Sequence, residues 1–198
     1  MLYSIGKVLC ILYFRLFYRL RVIGRENIPS SGPLLLCANH PTALDMFLVA
    51  CMVPRRKVHY MAKAELFRNR FLAWIIRSLG AFPVSRGKGD VGSVKTVYKL
   101  LESGKIVGMF PEGTRTRKKD PNKRKPGIAL FALHSGAPVL PVAIKGNFRL
   151  FRRVDLIFGK PYKVTSEAAD GTGKSYPKEE LVRISNEIID SIYALMDQ

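Results

Sequence analysis

The sequence predicts a single α/β domain with a largely parallel central sheet flanked by helices, preceded by an N-terminal amphipathic helix. Two observations support this fold class. Short apolar runs alternate with longer segments whose apolar residues recur at helical spacing, the pattern typical of a sheet built from strand–helix units. The chain has 198 residues, of which 47% are hydrophobic. That is enough for one substantial core and excludes a disordered basic tail.

The N-terminal segment, residues 1–20, is predicted to form a helix rich in leucine, isoleucine, phenylalanine and tyrosine. Its longest uncharged run, residues 8–14, is far shorter than the roughly 20 residues that a spanning helix needs. No small-residue cleavage site follows it. Two placements remain open, a helix in the membrane interface or a helix docked on the protein's own core. The cations Arg21 and Arg25 favour the membrane interface, and residues 21–198 are expected to form the domain.

Buried strands are predicted where apolar runs lie between turn signals. The predicted strands are residues 32–38, 57–62, 81–84, 105–110, 138–144 and 150–159. Their alternation with helices predicts a largely parallel sheet.

Helices are predicted where apolar residues recur at helical spacing between start and stop signals. The predicted helices are residues 42–52, 64–80, 90–104, 127–136 and 178–196. Asp90 caps the third of them, and Gly104 is its stop. The polar, glycine-containing residues 165–176 are predicted to be a surface loop.

The charge of the chain indicates anionic partners. Lysine and arginine number 33 against 15 acidic residues, a formal charge of +18. Such an excess suits nucleic acid, an anionic membrane surface, or acidic substrates and carriers, unless it is only a solvated surface. No helix-turn-helix, zinc-finger or RRM signature accompanies it, which argues against nucleic acid. The dense basic stretch at residues 115–127 is predicted to be a loop that contacts phosphates or an acidic carrier.

The three cysteines, Cys10, Cys37 and Cys51, are scattered and lack any C-x-x-C spacing. This arrangement indicates neither a disulfide framework nor a zinc site. A reducing, cytosolic setting is expected.

The segment ANHPTALD places His40 and Asp45 five positions apart. On a regular helix this spacing turns two side chains about 140° away from each other. Pro41, pre-organised for the first helical position, is predicted to leave His40 in the preceding turn and Asp45 one turn inside the helix. An imidazole oriented by a carboxylate deprotonates a hydroxyl near neutral pH. The only hydroxyl in the segment is that of Thr42, and the Cys37 thiol is expected to be structural because it lies in an apolar strand. If a substrate supplies the hydroxyl, His40 and Asp45 suffice.

Residue types suited to a phosphate occur in other segments. In FPEGTRTR, Gly113 permits a tight turn and Arg115 offers a planar fork for a phosphate. Glu112 could bind a substrate hydroxyl or hold Arg115. Lys63 and Arg86 could add cations to the same site.

Three of these polar clusters begin where predicted strands end. His40 follows the strand at 32–38, Arg86 follows the strand at 81–84, and Glu112 follows the strand at 105–110. Because ligands bind beyond the carboxyl ends of such strands, one shared site is predicted.

Four segments carry a resemblance to a known family. NHPTALD, KAELF with LGAFPVSRG, FPEGTRTR and VLPVAIKG occur in the order and approximate spacing of the motif blocks of the glycerolipid acyltransferase family. Residues 22–146 most resemble the bacterial 1-acyl-glycerol-3-phosphate (lysophosphatidic acid) acyltransferases. The resemblance implies that residues 21–198 form an acyltransferase domain.

The resemblance also implies residue roles. His40 matches the general base and Asp45 its partner. Pro141 matches the proline of the fourth block. The positions implied to bind the substrate phosphate are Glu112, Gly113, Arg115, Lys63 and Arg86.

The implied reaction transfers a fatty acyl group from acyl-ACP or acyl-CoA to the free hydroxyl of 1-acyl-glycerol 3-phosphate, giving phosphatidic acid. It implies no bound cofactor and no metal. The implied partners are a lysophospholipid, an acyl carrier protein or coenzyme A thioester, and an anionic membrane surface, without nucleic acid. Many members carry a longer N-terminal region, often with more membrane-embedded helices, whereas here only residues 1–20 precede the domain. Peripheral attachment at the cytoplasmic face of the cell membrane is therefore expected. The alternatives are transfer to another lysolipid or to glycerol 3-phosphate, and a non-catalytic membrane-surface or nucleic-acid-binding protein.

Overall fold

The secondary structure alternates between strands and helices. The computed structural model describes residues 2–84, 90–115, 126–146, 148–166 and 176–197. In these ranges the helices are α1 (Leu2–Phe17), α2 (Asp45–Met52), α3 (Arg70–Ser78), α4 (Val91–Glu102), α5 (Gly127–Ser135) and α6 (Lys178–Ala194). The strands are β1 (Arg19–Ile23), β2 (Leu34–Ala38), β3 (Val58–Lys63), β4 (Ala81–Val84), β5 (Ile106–Met109), β6 (Val139–Gly146) and β7 (Arg153–Phe158).

The strands form one mixed sheet of order β1-β7-β6-β2-β5-β3-β4. Strands β6, β2, β5, β3 and β4 are mutually parallel. Strand β7 pairs antiparallel with β6 and parallel with β1, so these two strands run the other way. The edge where β2, β5, β3, β4 and β6 end is called the carboxyl edge below. The predicted α/β fold with a largely parallel sheet is confirmed.

Helices cover both faces of the sheet. The central strand β2 is buried at every position, and its residues alternate between two cores. Leu34 and Leu36 pack with α1 and α2, whereas Leu35 and Cys37 pack with α4, α5 and α6. A strand that is buried on both faces reads as a continuous apolar run, which is why LLLCA lacks alternation.

Helix α1 is docked on the domain by one face and exposes apolar residues on the other. Phe14 is 1% exposed and packs in the core beneath it. Lys7 points inward and donates to the Val53 carbonyl, and burial lowers the pKa of its ammonium group. The outward stripe of exposed apolar side chains comprises Ile5, Val8, Leu9, Leu12 and Leu16. Within the described ranges, no helix combines the length and the hydropathy needed to cross a bilayer.

The first strand, β1, was not predicted from the sequence. Arg19 and Leu20 were assigned to the N-terminal helix and Arg21 was interpreted as a cation just beyond it, yet residues RLRVI pair in parallel with β7. Arg19 and Arg21 are exposed while Leu20 and Val22 lie against the core, the period-two pattern of a strand with one face covered. The proposed boundary between residues 20 and 21 therefore falls inside β1.

The predicted continuous helix over residues 64–80 is wrong. The chain forms a 3₁₀ turn at Ala64–Phe67 and then α3. Asn69 separates them, because its side chain accepts a hydrogen bond from the Leu72 backbone N–H and so caps a new helix start. The predicted Asp90 cap is confirmed, since its carboxylate accepts from the Ser93 N–H at 3.0 Å.

Candidate active site

The carboxyl edge gathers most of the predicted site residues. His40 lies in the turn after β2, Phe110 begins the turn after β5, and Lys63 is the last residue of β3. Since β2 and β3 both flank β5, these turns are neighbours. Arg86 and residues 116–125 of the basic stretch lie outside the described residues.

The predicted meeting of His40 and Asp45 is confirmed. The imidazole Nδ1 lies 2.8 Å from the carboxylate Oδ2. The Asp45 side chain is fully buried, and that of His40 is 13% exposed. Because the carboxylate accepts at Nδ1, this nitrogen carries the proton and the lone pair is left at Nε2.

The predicted position of Pro41 as the first helical residue is wrong. Helix α2 begins at Asp45, and residues 41–44 form turns. Thr42 shapes this segment: its N–H donates to Asp45 Oδ2 at 2.7 Å and its hydroxyl donates to Oδ1 at 2.6 Å. A side-chain acceptor that captures a nearby backbone N–H competes with helix formation, and this delays the helix. The carboxylate thus has three donors that hold it toward His40.

An aromatic stack supports the imidazole, which the sequence analysis missed. The rings of His40 and Phe110 are 4.0 Å apart and nearly parallel at 15°. The ring of Tyr60 in β3 also stacks on Phe110, with the two ring centroids 5.7 Å apart. The same ring lies over Gly108 of β5, where an added Cβ would come within 2.2 Å of the tyrosine. The signal was available, since Phe110 opens the FPEGTRTR block.

Asn39 is a second residue that the sequence analysis missed. Its side chain donates to the Ile144 carbonyl at 3.0 Å and accepts from the Ile144 N–H at 2.7 Å. This pair of bonds ties the end of β2 to β6 directly before His40. The available signal was the position of Asn39 directly after the apolar strand LLLCA, because a buried amide there needs hydrogen-bond partners.

Glu112 is held by the C-terminal helix. It is 3% exposed, and its Oε1 accepts a hydrogen bond from the Tyr193 hydroxyl at 2.5 Å. Burial, and then the bond to Glu112, raise the pKa of Tyr193. Gly113 has φ 67°, and its N–H donates to the Phe110 carbonyl at 2.9 Å, which closes the turn. The sequence alone does not indicate that Tyr193 belongs to this site, because 81 residues separate it from Glu112.

Cys37 and Pro141 are structural in this arrangement. They are register partners in β2 and β6, and both are buried. Burial raises the pKa of the Cys37 thiol, so the nucleophilic thiolate is disfavoured.

The same family assignment comes from comparison with known proteins. Residues 19–145 match the family model described as Acyltransferase. The chain belongs to the acyltransferase family. A 1-acyl-sn-glycerol-3-phosphate acyltransferase of Bacillus subtilis (strain 168) is 36% identical to it over 146 residues, 71% of this chain and 72% of the relative. The enzyme of the same name from Streptococcus pneumoniae (strain ATCC BAA-255 / R6) is 34% identical over 71% of this chain and 54% of its own length.

A solved structure is also similar. The crystal structure of the 1-acyl-sn-glycerophosphate (LPA) acyltransferase PlsC from Thermotoga maritima superposes with a TM-score of 0.72 and 25% identity. The match covers 99% of this chain and 80% of that one. The mixed sheet with its preceding helix is therefore a fold that this acyltransferase shares with the Thermotoga protein.

The cations of the predicted phosphate site are exposed. Lys63 and Arg115 lie on the surface of this acyltransferase, and neither side chain forms a hydrogen bond or ion pair with the described residues. Their charges are therefore accessible to an anionic ligand at the carboxyl edge.

Proposed function

We propose that this acyltransferase moves a fatty acyl group from a thioester to the free hydroxyl of 1-acyl-sn-glycerol 3-phosphate, giving phosphatidic acid. The observation that carries the proposal is a His40–Asp45 pair whose imidazole forms no hydrogen bond with a serine, threonine or cysteine side chain among the residues that the structure describes. The Thr42 hydroxyl already donates to Asp45, and the Cys37 thiol is buried with a raised pKa. The acceptor hydroxyl itself is then the attacking group.

His40 acts as a general base through Nε2. As the acceptor oxygen attacks the thioester carbonyl carbon, the hydroxyl proton passes to Nε2 and the carbonyl electron pair moves to oxygen. When the tetrahedral intermediate collapses, the carbon–sulfur bond breaks and the thiolate takes the proton from the imidazolium. The ester and the free thiol are the products. Asp45 fixes the tautomer and stabilises the imidazolium while it exists.

The acceptor phosphate binds among the cations of the carboxyl edge. Arg115 offers a bidentate fork and Lys63 adds a point charge, and we assign a second guanidinium to Arg86, which lies outside the described residues. The Gly113 turn lets the backbone approach the phosphate, and Glu112 keeps that turn in place through its bond to Tyr193. Support comes from the exposed Arg115 and Lys63 and from the left-handed backbone at Gly113.

The enzyme works as a peripheral protein on the cytoplasmic face of an anionic membrane, with acyl carrier protein or coenzyme A as thioester carrier and no cofactor. The outward stripe of α1 supplies apolar contact area, with Leu9 62% and Leu16 68% exposed. The net charge of +18 suits both the anionic lipid surface and an acidic carrier.

The deciding experiment offers purified protein lysophosphatidic acid, glycerol 3-phosphate and a neutral lysolipid, each with acyl-ACP and with acyl-CoA. Phosphatidic acid is the expected product. His40→Ala is expected to abolish transfer, whereas His134→Ala, a matched change on α5, keeps it. Transfer only to glycerol 3-phosphate, or only to the neutral lysolipid, would show that 1-acyl-sn-glycerol 3-phosphate is not the acceptor. Full turnover by His40→Ala would remove the general-base role.

A further inference from the structure

The connection between β6 and β7 places a tight turn beside the last turn of α1. The Arg152 N–H donates to the Arg149 carbonyl at 3.1 Å and closes the turn. The Phe151 N–H donates to the Phe17 carbonyl at 2.7 Å, and the Arg19 N–H donates to the Arg152 carbonyl at 3.0 Å. Backbone bonds thus fix this turn to the start of the domain. Its two central residues, Leu150 and Phe151, are called the tip below.

The tip combines two unfavourable features. Leu150 is 58% exposed and Phe151 is 62% exposed, so two large apolar side chains face water next to each other. Phe151 also has φ 61°, in the left-handed region that bulky residues rarely adopt. A left-handed backbone at an exposed aromatic residue lowers stability, and this favours a functional role for the tip.

Arginines surround the tip. Those exposed in the turn and on the adjoining ends of α1, β1 and β7 are Arg15, Arg19, Arg149, Arg152 and Arg153. Of these, Arg153 forms an ion pair with Asp155 at 2.8 Å. An apolar point with exposed arginines on the same turn and on the adjoining strand and helix ends matches an anionic bilayer, where the point enters the acyl region and the cations bind lipid phosphates.

The tip lies on the same side of the molecule as His40. Strands β1 and β7 run opposite to β6, so their first residues lie at the carboxyl edge where β6 ends. Asn39, the neighbour of His40, is bonded to Ile144 near that end. The outward stripe of α1 also reaches this edge, because Leu16 directly precedes Phe17, to which the tip is bonded.

We propose that the tip is a second membrane contact, which inserts Leu150 and Phe151 into an anionic phospholipid bilayer while the surrounding arginines bind lipid phosphates. This inference extends the membrane attachment that the proposed function assigns to α1. One helix lying in the interface resists rotation about its own axis only through its apolar stripe. A second contact at the carboxyl edge fixes that rotation and turns the edge with His40 toward the lipid surface.

Phe151→Gly separates insertion from folding. Glycine adopts positive φ without strain, so the variant is expected to unfold at an equal or higher temperature than the wild type. The variant lacks the aromatic side chain that inserts into the bilayer. Its binding to phosphatidylcholine–phosphatidylglycerol vesicles is therefore expected to be about tenfold weaker in co-sedimentation. Arg55→Gly is the matched control. It relieves the left-handed φ of 51° at an exposed residue before β3, at the other edge of the sheet. Because it also removes one positive charge, it controls for the relief of backbone strain, and its affinity should fall much less than that of Phe151→Gly.

The arginines are tested by a charge-matched pair of variants. Arg149→Gln with Arg152→Gln is expected to lower affinity for the anionic vesicles about tenfold and to leave weak binding to pure phosphatidylcholine unchanged. Lys95→Gln with Lys99→Gln removes the same charge from α4, on the opposite face of the sheet, and should change affinity much less.

Insertion has a direct spectroscopic signature. Trp74 is the only tryptophan of the chain. A protein carrying Phe151→Trp and Trp74→Phe is expected to shift its emission to shorter wavelength on anionic vesicles and to be quenched by lipids brominated on the acyl chains. An emission that stays at its aqueous wavelength while the protein is bound would overturn insertion at the tip.

Other outcomes identify a different occupant or a structural role. If Phe151→Gly binds vesicles like the wild type but changes the oligomeric state, the tip is an interface between copies and the proposal fails. If its binding falls only together with its melting temperature, Phe151 is structural. Because vesicle binding is measured without substrate, it is independent of the acyltransfer proposal. Release by Leu9→Ser with Leu12→Ser, but not by Phe151→Gly, would keep attachment through α1 and reject the tip.

Discussion

At the scale of single residues, the site depends on how the Asp45 carboxylate is held. Three donors from His40 and Thr42 converge on it in a fully buried position. Buried carboxylates with several donors are rigid, and a rigid carboxylate fixes the imidazole ring and its tautomer. The chemistry proposed for His40 therefore depends on the charge of Asp45 as much as on its shape.

Asp45→Asn preserves the shape and removes that charge. We expect kcat to fall by about 10²–10⁴, since an amide can present its NH₂ group to Nδ1 and place the proton on the wrong nitrogen. The measurement is kcat and KM for acyl transfer to lysophosphatidic acid. Asp197→Asn, an exposed carboxylate at the surface, is the control. A variant at position 45 with normal kcat would contradict the orienting role.

Tyr193→Phe removes the hydroxyl that binds Glu112 and leaves the ring in place. We expect KM for the phosphorylated acceptor to rise about five- to tenfold with a smaller change in kcat, because the Glu112 turn loses one donor. Tyr98→Phe, which removes a hydroxyl near His134, is the control. A fall in kcat with unchanged KM would argue against this positioning role.

The same hydroxyl predicts a dependence of stability on alkaline pH. The pKa of Tyr193 is raised in the folded state above its ordinary value of 10.0. Its contribution to the free energy of unfolding is therefore full below about pH 10 and is lost as the pH rises toward the folded pKa. Urea unfolding above pH 10 should show a smaller loss of stability in Tyr193→Phe than in the wild type. Parallel losses in the two proteins would contradict the shift.

At the scale of elements, the contact between β3 and β5 supports the site from below. Tyr60 and Gly108 are register partners, and the tyrosine ring occupies the space where a side chain at 108 would stand. The same ring stacks on Phe110, which stacks on His40. A change in how β3 and β5 pair would therefore shift the Tyr60 ring, and through its contact with Phe110 it would displace the imidazole of His40.

Gly108→Ala tests this support. The added Cβ would lie 2.2 Å from a buried ring, so we expect a loss of about 1–3 kcal/mol in the free energy of unfolding and reduced kcat. Denaturant unfolding and steady-state kinetics measure the two effects. The double variant Tyr60→Leu with Gly108→Ala should recover stability but not the full kcat. Full recovery of both would show that the stack does not matter for His40.

The elements also show what a single sequence predicts. Continuous apolar runs predicted β2, β5 and β6, because a strand buried on both faces leaves a strong signal. Strands β3 and β4, which are only partly buried, were predicted from apolar runs between turn signals. Strand β1 was missed because its two exposed arginines, Arg19 and Arg21, resemble the charged end of a helix. The break at Asn69 and the late start of α2 depend on side-chain bonds to the backbone, which periodicity does not reveal. His40 and Asp45 were predictable because they are close in sequence; Tyr193 and Tyr60 reach the site only through the tertiary fold.

At the scale of the whole molecule, the proposed membrane attachment combines positive charge with exposed apolar side chains. In that proposal the net charge of +18 draws the protein to an anionic bilayer, and the outward stripe of α1 then supplies apolar contact. The two contributions differ in range, since charge acts over a Debye length whereas apolar burial requires contact.

This difference predicts how binding responds to salt. Raising the ionic strength from about 0.1 M to about 1 M shortens the Debye length from about 10 to about 3 Å. Affinity for phosphatidylglycerol-containing vesicles should fall at least tenfold, while residual binding to phosphatidylcholine vesicles should stay constant or rise. Vesicle co-sedimentation across this range is the measurement. Binding to both vesicle types that is insensitive to salt would leave no role for the net charge.

The bond between Glu112 and Tyr193 has a consequence for synthesis of the chain. Strand β5 and the turn after it leave the ribosome well before α6 does, because 81 residues separate the two partners. A nascent polypeptide can assemble the early strands, yet its Glu112 lacks the Tyr193 hydroxyl until α6 has emerged and docked. The turn that carries Glu112 is therefore completed only after translation has passed the C-terminal helix.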